Sequence, residues 1–342
     1  MSYLPHPKII TPIVGFMLFM LMHSFFVGCD SEHRAGPVTR TEFMLDTVCT
    51  ITIYEPQDPS LISGAFELCS ELENLLSVTI EGSELWQVNH AKSEAVKVSR
   101  ETAEIIREGI YYGDYSNGAF DITIGKLSGL WDFTTGISIP DEADISTARE
   151  TVDYQQVIVS GDTVTLANPS AQIDLGGIAK GYIADRIAGY LIENGVVSAI
   201  IDLGGNIVTI GERQDGRLWR VGVKNPYGEE GDLYGVIDIG AASVVTSGIY
   251  ERSFEYDGAV YHHILDPQTG YPVKTDIVSA TVVSENSMTG DAMSTILLLA
   301  GSSMAEELFR EFPGLIGSLL IYEDGSHALY GDISFTAAIS HG

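Results

Sequence analysis

Cysteine is scarce in this 342-residue chain: there are three, at Cys29, Cys49 and Cys69. No two form a Cys-x-x-Cys pair, so a thioredoxin-like dithiol is absent. Neither a Gly-x-Ser-x-Gly elbow nor a His-Glu-x-x-His helix occurs, which removes the usual warrants for a serine hydrolase and a zinc protease. Positive charge is also scarce. Eighteen Lys and Arg face 47 Asp and Glu, for a formal net charge of −29. A surface this acidic repels phosphate backbones and argues against a nucleic-acid partner. Most of that acidity serves solubility. Any anionic ligand would need local cations or oriented N–H groups to overcome the global field. Proline is modest at 12 and no long Pro, Ser or Gln tract appears. With 45% hydrophobic residues, the chain can bury a large core, as one big domain or two smaller ones, and is not a disordered polymer.

What is present begins with an address. Lys8 precedes an apolar stretch from Ile9 to Gly28, broken only by Thr11, Pro12, His23 and Ser24, and Cys29 follows with a polar run from Asp30 to Arg34. A basic start, an apolar middle and a small residue before a cut describe a signal peptide. Phe26-Val27-Gly28-Cys29 resembles a lipoprotein box, with Phe26 bulkier than usual. The expected organisation is a signal peptide over 1–28, a lipidated Cys29 with a tether over 29–41, and one domain over 42–335. About 20 apolar residues also suffice to span a bilayer, so an uncleaved anchor is the competing reading. Either way the globular part is expected outside the cytoplasm, on the outer side of the cytoplasmic membrane. Residues 30–41 would reach roughly 40 Å when extended. Cys49, in an alternating strand, and Cys69, in a helix, read as two inert core thiols, with a disulfide as the alternative.

Phe43 to Tyr54 alternates and is rich in Thr, Val and Ile, predicting one strand. Leu61–Leu76 and Thr102–Ser116 have helical periodicity. Residues 155–159 and 163–166 flank Gly161-Asp162 as a hairpin. Gln172–Leu175 and Val197–Leu203 read as strands, each ending in two glycines. Ala179–Glu193 is a predicted helix closed by Asn194-Gly195, strands dominate from Trp219 to Val283, and helices follow over Asp291–Ala300 and Met304–Phe312. Hairpin signals outnumber βαβ signals, so the fold class is α+β, mixed or antiparallel sheets flanked by helices. Asp174-Leu175-Gly176-Gly177 recurs as Asp202-Leu203-Gly204-Gly205, too short a match to establish a duplication.

Four constellations could carry chemistry. Asp174 to Gly181 places paired glycines and Lys180 at a helix start, where free N–H groups and the dipole attract an anion. It equally suits an ordinary strand-to-helix turn with a surface Lys, and it fits neither a GxGxxG nor a P-loop pattern. Asp291 and Thr295 are i,i+4 neighbours whose hard oxygens suit Mg²⁺, although an Asp near a helix start is also simply favourable there. His263 precedes the Asp266-Pro267-Gln268-Thr269-Gly270 turn and could take a proton from a hydroxyl, or be structural. His262 and His263 face opposite sides of a strand and make poor joint metal ligands. Asp121, in Gly118-Ala119-Phe120-Asp121-Ile122-Thr123, could accept from a ligand or cap its own turn.

In their order, these segments resemble the ApbE family of FAD:protein FMN transferases. The resemblance runs from about Phe43 to Gly301. It takes in Leu45 to Tyr54, Ser83-Glu84-Leu85 with Asn89, Gly118 to Thr123 with Leu130-Trp131, and Asp174 to Gly181. It continues through Asp202 to Asn206, Thr246-Ser247-Gly248 with Tyr250-Glu251-Arg252, the His263–Gly270 turn, and Asp291 with Thr295. It implies an ApbE-like, T-fold-related α+β architecture. It also implies Mg²⁺ held by Asp291, Thr295 and a main-chain oxygen near Gly177. FAD, the substrate, would be contacted by Ala119, Phe120, Asp121, Asp174, Lys180 and the Leu265 backbone. His263 is similar to the residue that activates the acceptor hydroxyl. The implied reaction moves FMN from FAD onto a Ser or Thr of another protein, releasing AMP, with subunits of membrane redox pumps as expected acceptors. Two positions depart from the pattern. Leu45-Asp46-Thr47 stands where many relatives have Met-Gly-Thr, and Thr79 and Ile80 stand where some place an aromatic residue on the flavin. The sequence leaves two rivals open: a Mg²⁺-dependent hydrolase that splits FAD to FMN and AMP with water, and a flavin-binding lipoprotein without chemistry.

Overall fold

The computed structural model describes residues 36–338 apart from 134, 135, 137 and 230. The signal peptide, Cys29 and most of the tether expected from the sequence lie outside the described residues. The first half runs β1 (Val38–Met44), β2 (Thr47–Glu55), α1 (Pro59–Leu76), α2 (Glu84–His90), β3 (Val96–Lys97), α3 (Arg100–Tyr115), α4 (Gly125–Ser128), α5 (Glu142–Arg149), β4 (Val157–Ser160) and β5 (Thr163–Leu166). The second half begins with α6 (Ala179–Glu193), β6 (Ser198–Leu203), β7 (Asn206–Gly211), β8 (Trp219–Lys224), β9 (Leu233–Ile239), β10 (Ser243–Gly248), β11 (Ser253–Tyr256) and β12 (Ala259–His262). It ends with β13 (Ile277–Ser284), α7 (Ser287–Ala300), α8 (Ser302–Glu311), β14 (Leu315–Tyr322), β15 (His327–Gly331) and β16 (Ser334–Ala337).

Eight strands make one sheet in the order β1-β2-β6-β7-β10-β13-β14-β15, every pair antiparallel. The strand β13 is buried at all eight positions, as a central strand covered on both faces must be. On one face, alternate residues Cys49, Ile51, Ile53, Ala199, Ile201 and Leu203 join α1, α6 and α7 in the main core. On the other, Val244, Val283, Leu319 and Ile321 pack with Trp219, Val221 and Ile237 of the small sheet β16-β9-β8. The α+β class expected from the sequence is the class observed.

Four expectations differ from the structure. The single strand expected over 43–54 is a hairpin: Leu45 and Asp46 sit at φ 54° and 56°, which makes a two-residue turn of the I′ kind between β1 and β2. The strand β1 also takes up residues 38–41, assigned above to the tether, because Thr39 and Thr41 pair with Thr52 and Thr50. Residues 172–175 form no strand. Gln172 makes one bridge to Ile124, and the Asp174 amide donates to the Ile122 carbonyl at 2.7 Å. Finally, α7 begins at Ser287 rather than Asp291, because the Asn286 side chain accepts from the Thr289 amide at 2.9 Å and caps it there. Cys49 and Cys69 are free and fully buried. Burial pushes their thiols up to about 11 and about 12, so both are inert.

Candidate active site

The helices α6 and α7 meet near their N-termini. Gly181 allows this: a Cβ there would lie 2.6 Å from Met288 Cα. The N-cap of α6, Ile178, offers no side-chain bond, so the free amides of its first turn need partners elsewhere. The Gly181 amide donates to Asp291 Oδ2 at 2.9 Å. Were α6 one residue longer, that amide would face the Gly177 carbonyl. Asp291 is thus a cap for the neighbouring helix, not for its own. It is 4% exposed. Burial raises its pKa, opposed chiefly by the Lys180 charge and the Gly181 amide. Asn206 lies beside it, itself buried, and its side-chain amide, which bonds no other group, faces the carboxylate and favours its charged form.

One turn along α7, the Thr295 hydroxyl donates to the Asp291 carbonyl at 3.3 Å, and the Ser294 hydroxyl does so at 2.9 Å. Thr295 is partly exposed while residues 291–294 are buried. Asp291 and Thr295 thus lie one turn apart on one side of α7, the first buried and the second reaching solvent. The carboxylate of Asp185, on α6, accepts from the Ser287 amide at 2.7 Å and the Met288 amide at 2.9 Å.

Around this junction the charges gather. The Lys180 charge acts on Asp291, Glu251 and Asp202, and it opposes protonation of His263. None of Lys180, Lys224 and Arg252 forms a salt bridge among the described residues. Glu251 touches solvent yet is crowded by protein atoms, the situation of a side chain in a concavity, and its pKa is raised by desolvation despite the nearby Lys180. His263 follows β12, anchored by its amide to the Arg252 carbonyl at 3.0 Å. Burial, then Arg252, push its imidazole down to about 4, so it is neutral at pH 7, and its Nδ1 has no partner. His262 turns the other way: its Nε2 sits 3.2 Å from the Val273 carbonyl.

The remaining candidates are held by their own neighbourhoods. Phe120 is buried against Gly177, where a Cβ would lie 2.7 Å from its ring. Asp174 holds its loop by accepting from the Gly176 amide at 2.8 Å and the Ser128 hydroxyl at 2.7 Å. Asp121 turns inward. Its Oδ1 accepts from the Thr123 amide and hydroxyl, and its Oδ2 from the Tyr154 amide. Its carboxylate is committed to the local turn, leaving only backbone for a ligand. Leu265 is buried and bridges Pro272. A cleft of about 920 Å³ is lined by Ala119, Tyr261, Asp266, Thr269, Tyr271 and Lys274 among others, a size suited to a small-molecule ligand. Lys180, Asp291 and Thr295 lie outside its lining.

The structure therefore joins Lys180, His263 and Asp291 through shared electrostatics, and Gly177 to Phe120 by contact. Sequence reading assigned no role to Asp185, Asn206, Asp202 or Glu251. Asp185 had one available signal, an acid beside the apolar run Tyr182-Ile183-Ala184 of α6.

An antiparallel sheet with helices on one face and a polar site at two abutting helix starts defines an α+β protein built like the solved ApbE flavin transferases. The chain superposes on an ApbE protein of Thermotoga maritima with a TM-score of 0.78 at 30% identity, covering 86% of this chain and 97% of that one. For the flavin transferase ApbE of Vibrio cholerae the values are 0.77 and 28%, covering 86% and 96%. The family model for the ApbE family matches residues 45–319, and the chain belongs to the ApbE family. It is 41% identical over 248 residues to a FAD:protein FMN transferase of Klebsiella pneumoniae, covering 71% of this chain and 77% of the relative. It is 33% identical over 318 residues to one of Treponema pallidum, covering 87% and 88%.

Proposed function

We propose that this protein is a FAD:protein FMN transferase that uses Mg²⁺ to move FMN from FAD onto a Ser or Thr hydroxyl of an acceptor protein, releasing AMP. Family membership supports the transferase activity. The observation that carries the finer reading is Asp291 bonded to the Gly181 amide at the start of α6 and under the Lys180 charge, with Thr295 one turn further along α7.

The donor set fits Mg²⁺. Asp291 supplies a carboxylate with lone pairs beyond the one used by Gly181, Thr295 a partly exposed hydroxyl, and Gly177 a main-chain carbonyl. All are hard oxygens. Among the described residues no three His, Cys, Asp or Glu side chains cluster as a metal cage, and Mg²⁺ commonly uses one or two carboxylates together with substrate phosphates. When bound, Mg²⁺ would polarise the pyrophosphate and offset its developing charge. Lys180 adds positive potential for phosphate oxygens, which the acidic remainder of the chain does not supply. Phe120, Ala119, Asp174 and the backbone at Asp121 and Leu265 bind the rest of FAD. The neutral His263 accepts the proton of the acceptor hydroxyl, whose oxygen bonds to the FMN-side phosphorus as the pyrophosphate bond breaks and AMP leaves.

Export and lipidation at Cys29 complete this reading and place the enzyme on the outer side of the cytoplasmic membrane. With β1 starting at Val38, the tether shortens to residues 30–37, at most roughly 27 Å. The acceptor is then a subunit of a redox complex in the same membrane. Incubation with FAD, Mg²⁺ and such a subunit, followed by chromatography of free and protein-bound flavin, tests the reading. Flavin on the acceptor with an equal amount of AMP, both lost in EDTA, is the expected result. Free FMN and AMP with an unmodified acceptor would identify a hydrolase, and intact FAD a binding protein.

A further inference from the structure

We propose that Asp185 is a positioning residue: it fixes the first turn of α7 and through it sets Asp291 and Thr295 for the divalent cation. The inference rests on the proposed Mg²⁺ site and adds a residue to it.

A closed circuit of hydrogen bonds joins the two helices. Each of the two helices lacks part of its own cap and borrows a carboxylate from the other. The α6 amide of Gly181 goes to Asp291 on α7. The first two α7 amides, Ser287 and Met288, go to Asp185 on α6. Gly181 and Asp185 are one turn apart on α6, and Ser287 and Asp291 are one turn apart on α7. The four positions therefore form a rigid frame, closed at its narrow end by the Gly181–Met288 contact. Asp185 grips with both oxygens, one per amide, which fixes the rotation of α7 as well as its position. Rotation decides where residues four and eight positions further on point, and those residues are Asp291 and Thr295. A hydrogen bond of 3.1 Å between Tyr112 and Thr289 braces the same turn.

A merely structural cap would not need this group. Asn286, immediately before the turn, caps the Thr289 amide with a neutral side chain. Asp185 instead keeps a second carboxylate near Asp291 in a desolvated setting, and burial with the Asp291 charge raises its pKa to about 6. Only a carboxylate offers two acceptor oxygens to two adjacent amides. An Asn would satisfy one and direct its own N–H₂ at the other.

The test compares the wild-type chain with Asp185→Asn and Asp185→Ala, each with FAD present, by titrating Mn²⁺ and following its electron paramagnetic resonance signal. The expected result is a loss of Mn²⁺ affinity of about tenfold, the size typical for a residue supporting metal ligands, with FAD affinity changed less than about twofold. A purely structural role would lower the melting temperature of both variants and leave Mn²⁺ affinity of the folded protein unchanged, and that outcome overturns the proposal. If neither variant folds, hydrogen exchange on the wild type decides. Mn²⁺ with FAD should slow exchange at Ser287 and Met288 together with Gly181, and unchanged exchange at Ser287 and Met288 refutes the coupling. A wild-type chain that binds no Mn²⁺ overturns the proposed metal site as well, whereas binding equal in wild type and Asp185→Asn overturns this inference alone.

Discussion

At the scale of single residues, the candidate site is legible where its proposed chemistry rests on a residue type at a fixed spacing, and illegible where it rests on two distant segments meeting. Asp291 with Thr295 and Lys180 behind two glycines are local patterns, so they stand out in the sequence. Asp185 and Asn206 acquire meaning only when α7 lies against α6 and β7. Asp121 shows the opposite case. Its sequence context suits a ligand contact or a turn cap equally well, and only the bonds to Thr123 and Tyr154 show that its carboxylate serves the turn. His263 makes a prediction at this scale. Its pKa falls from 6.5 to about 4 in the folded chain, so between those values the unfolded chain binds the extra proton. Stability attributable to a neutral His263 is full above pH 6.5 and is lost as pH falls toward 4, by roughly 3 kcal/mol. Urea denaturation at pH 7 and pH 4 should show His263→Gln losing about that much less than wild type. Equal losses would mean that the imidazole is not held neutral.

At the scale of elements, regular periodicity gives the long helices. The helix expected at 179–193 is observed at those bounds. The β1–β2 turn was hidden because Leu45-Asp46 lacks the Asn-Gly signature that turns with positive φ favour. The start of α7 was hidden by Gly290, which reads as a breaker. Within the fold it is a packing residue, since a Cβ there would lie 2.9 Å from Ser284 Oγ and Val245 Cγ2. Gly181 plays the same part between α6 and α7. Replacing it with Ala forces a methyl group toward Met288 Cα, and overpacking of this kind costs about 1–3 kcal/mol. Gly181→Ala should therefore lower the urea midpoint and also weaken metal binding, because it spreads the frame that holds Asp291. A variant as stable and active as wild type would show that the helices do not need this contact.

At the scale of the whole molecule, an anionic substrate must approach a chain of net charge −29. The attraction of Lys180, Lys224 and Arg252 acts at short range, and the repulsion of the remaining surface acts at long range. Salt screens the second more than the first, since the Debye length falls from about 30 Å at 0.01 M to about 8 Å at 0.15 M. The KM for FAD should therefore fall over that range of ionic strength in steady-state assays. A rise would mean that the local cations dominate the approach as well as the bound state. Acidity was readable from composition, but the gathering of three cations at one place was not. It depends on β8, the segment after β10 and the start of α6 converging.

The most direct test of the central claim is the intact mass of an acceptor subunit after incubation with FAD and Mg²⁺, measured beside the same reaction run with Asp291→Ala. A gain of one FMN, mapped by peptide sequencing to a Ser or Thr, is expected. The variant should slow that gain by about a hundredfold or more, the cost of losing several kcal/mol of charge stabilisation. An acceptor that gains FMN at the same rate with Asp291→Ala would contradict the metal site, and one that never gains FMN while FAD is consumed would contradict the transfer itself.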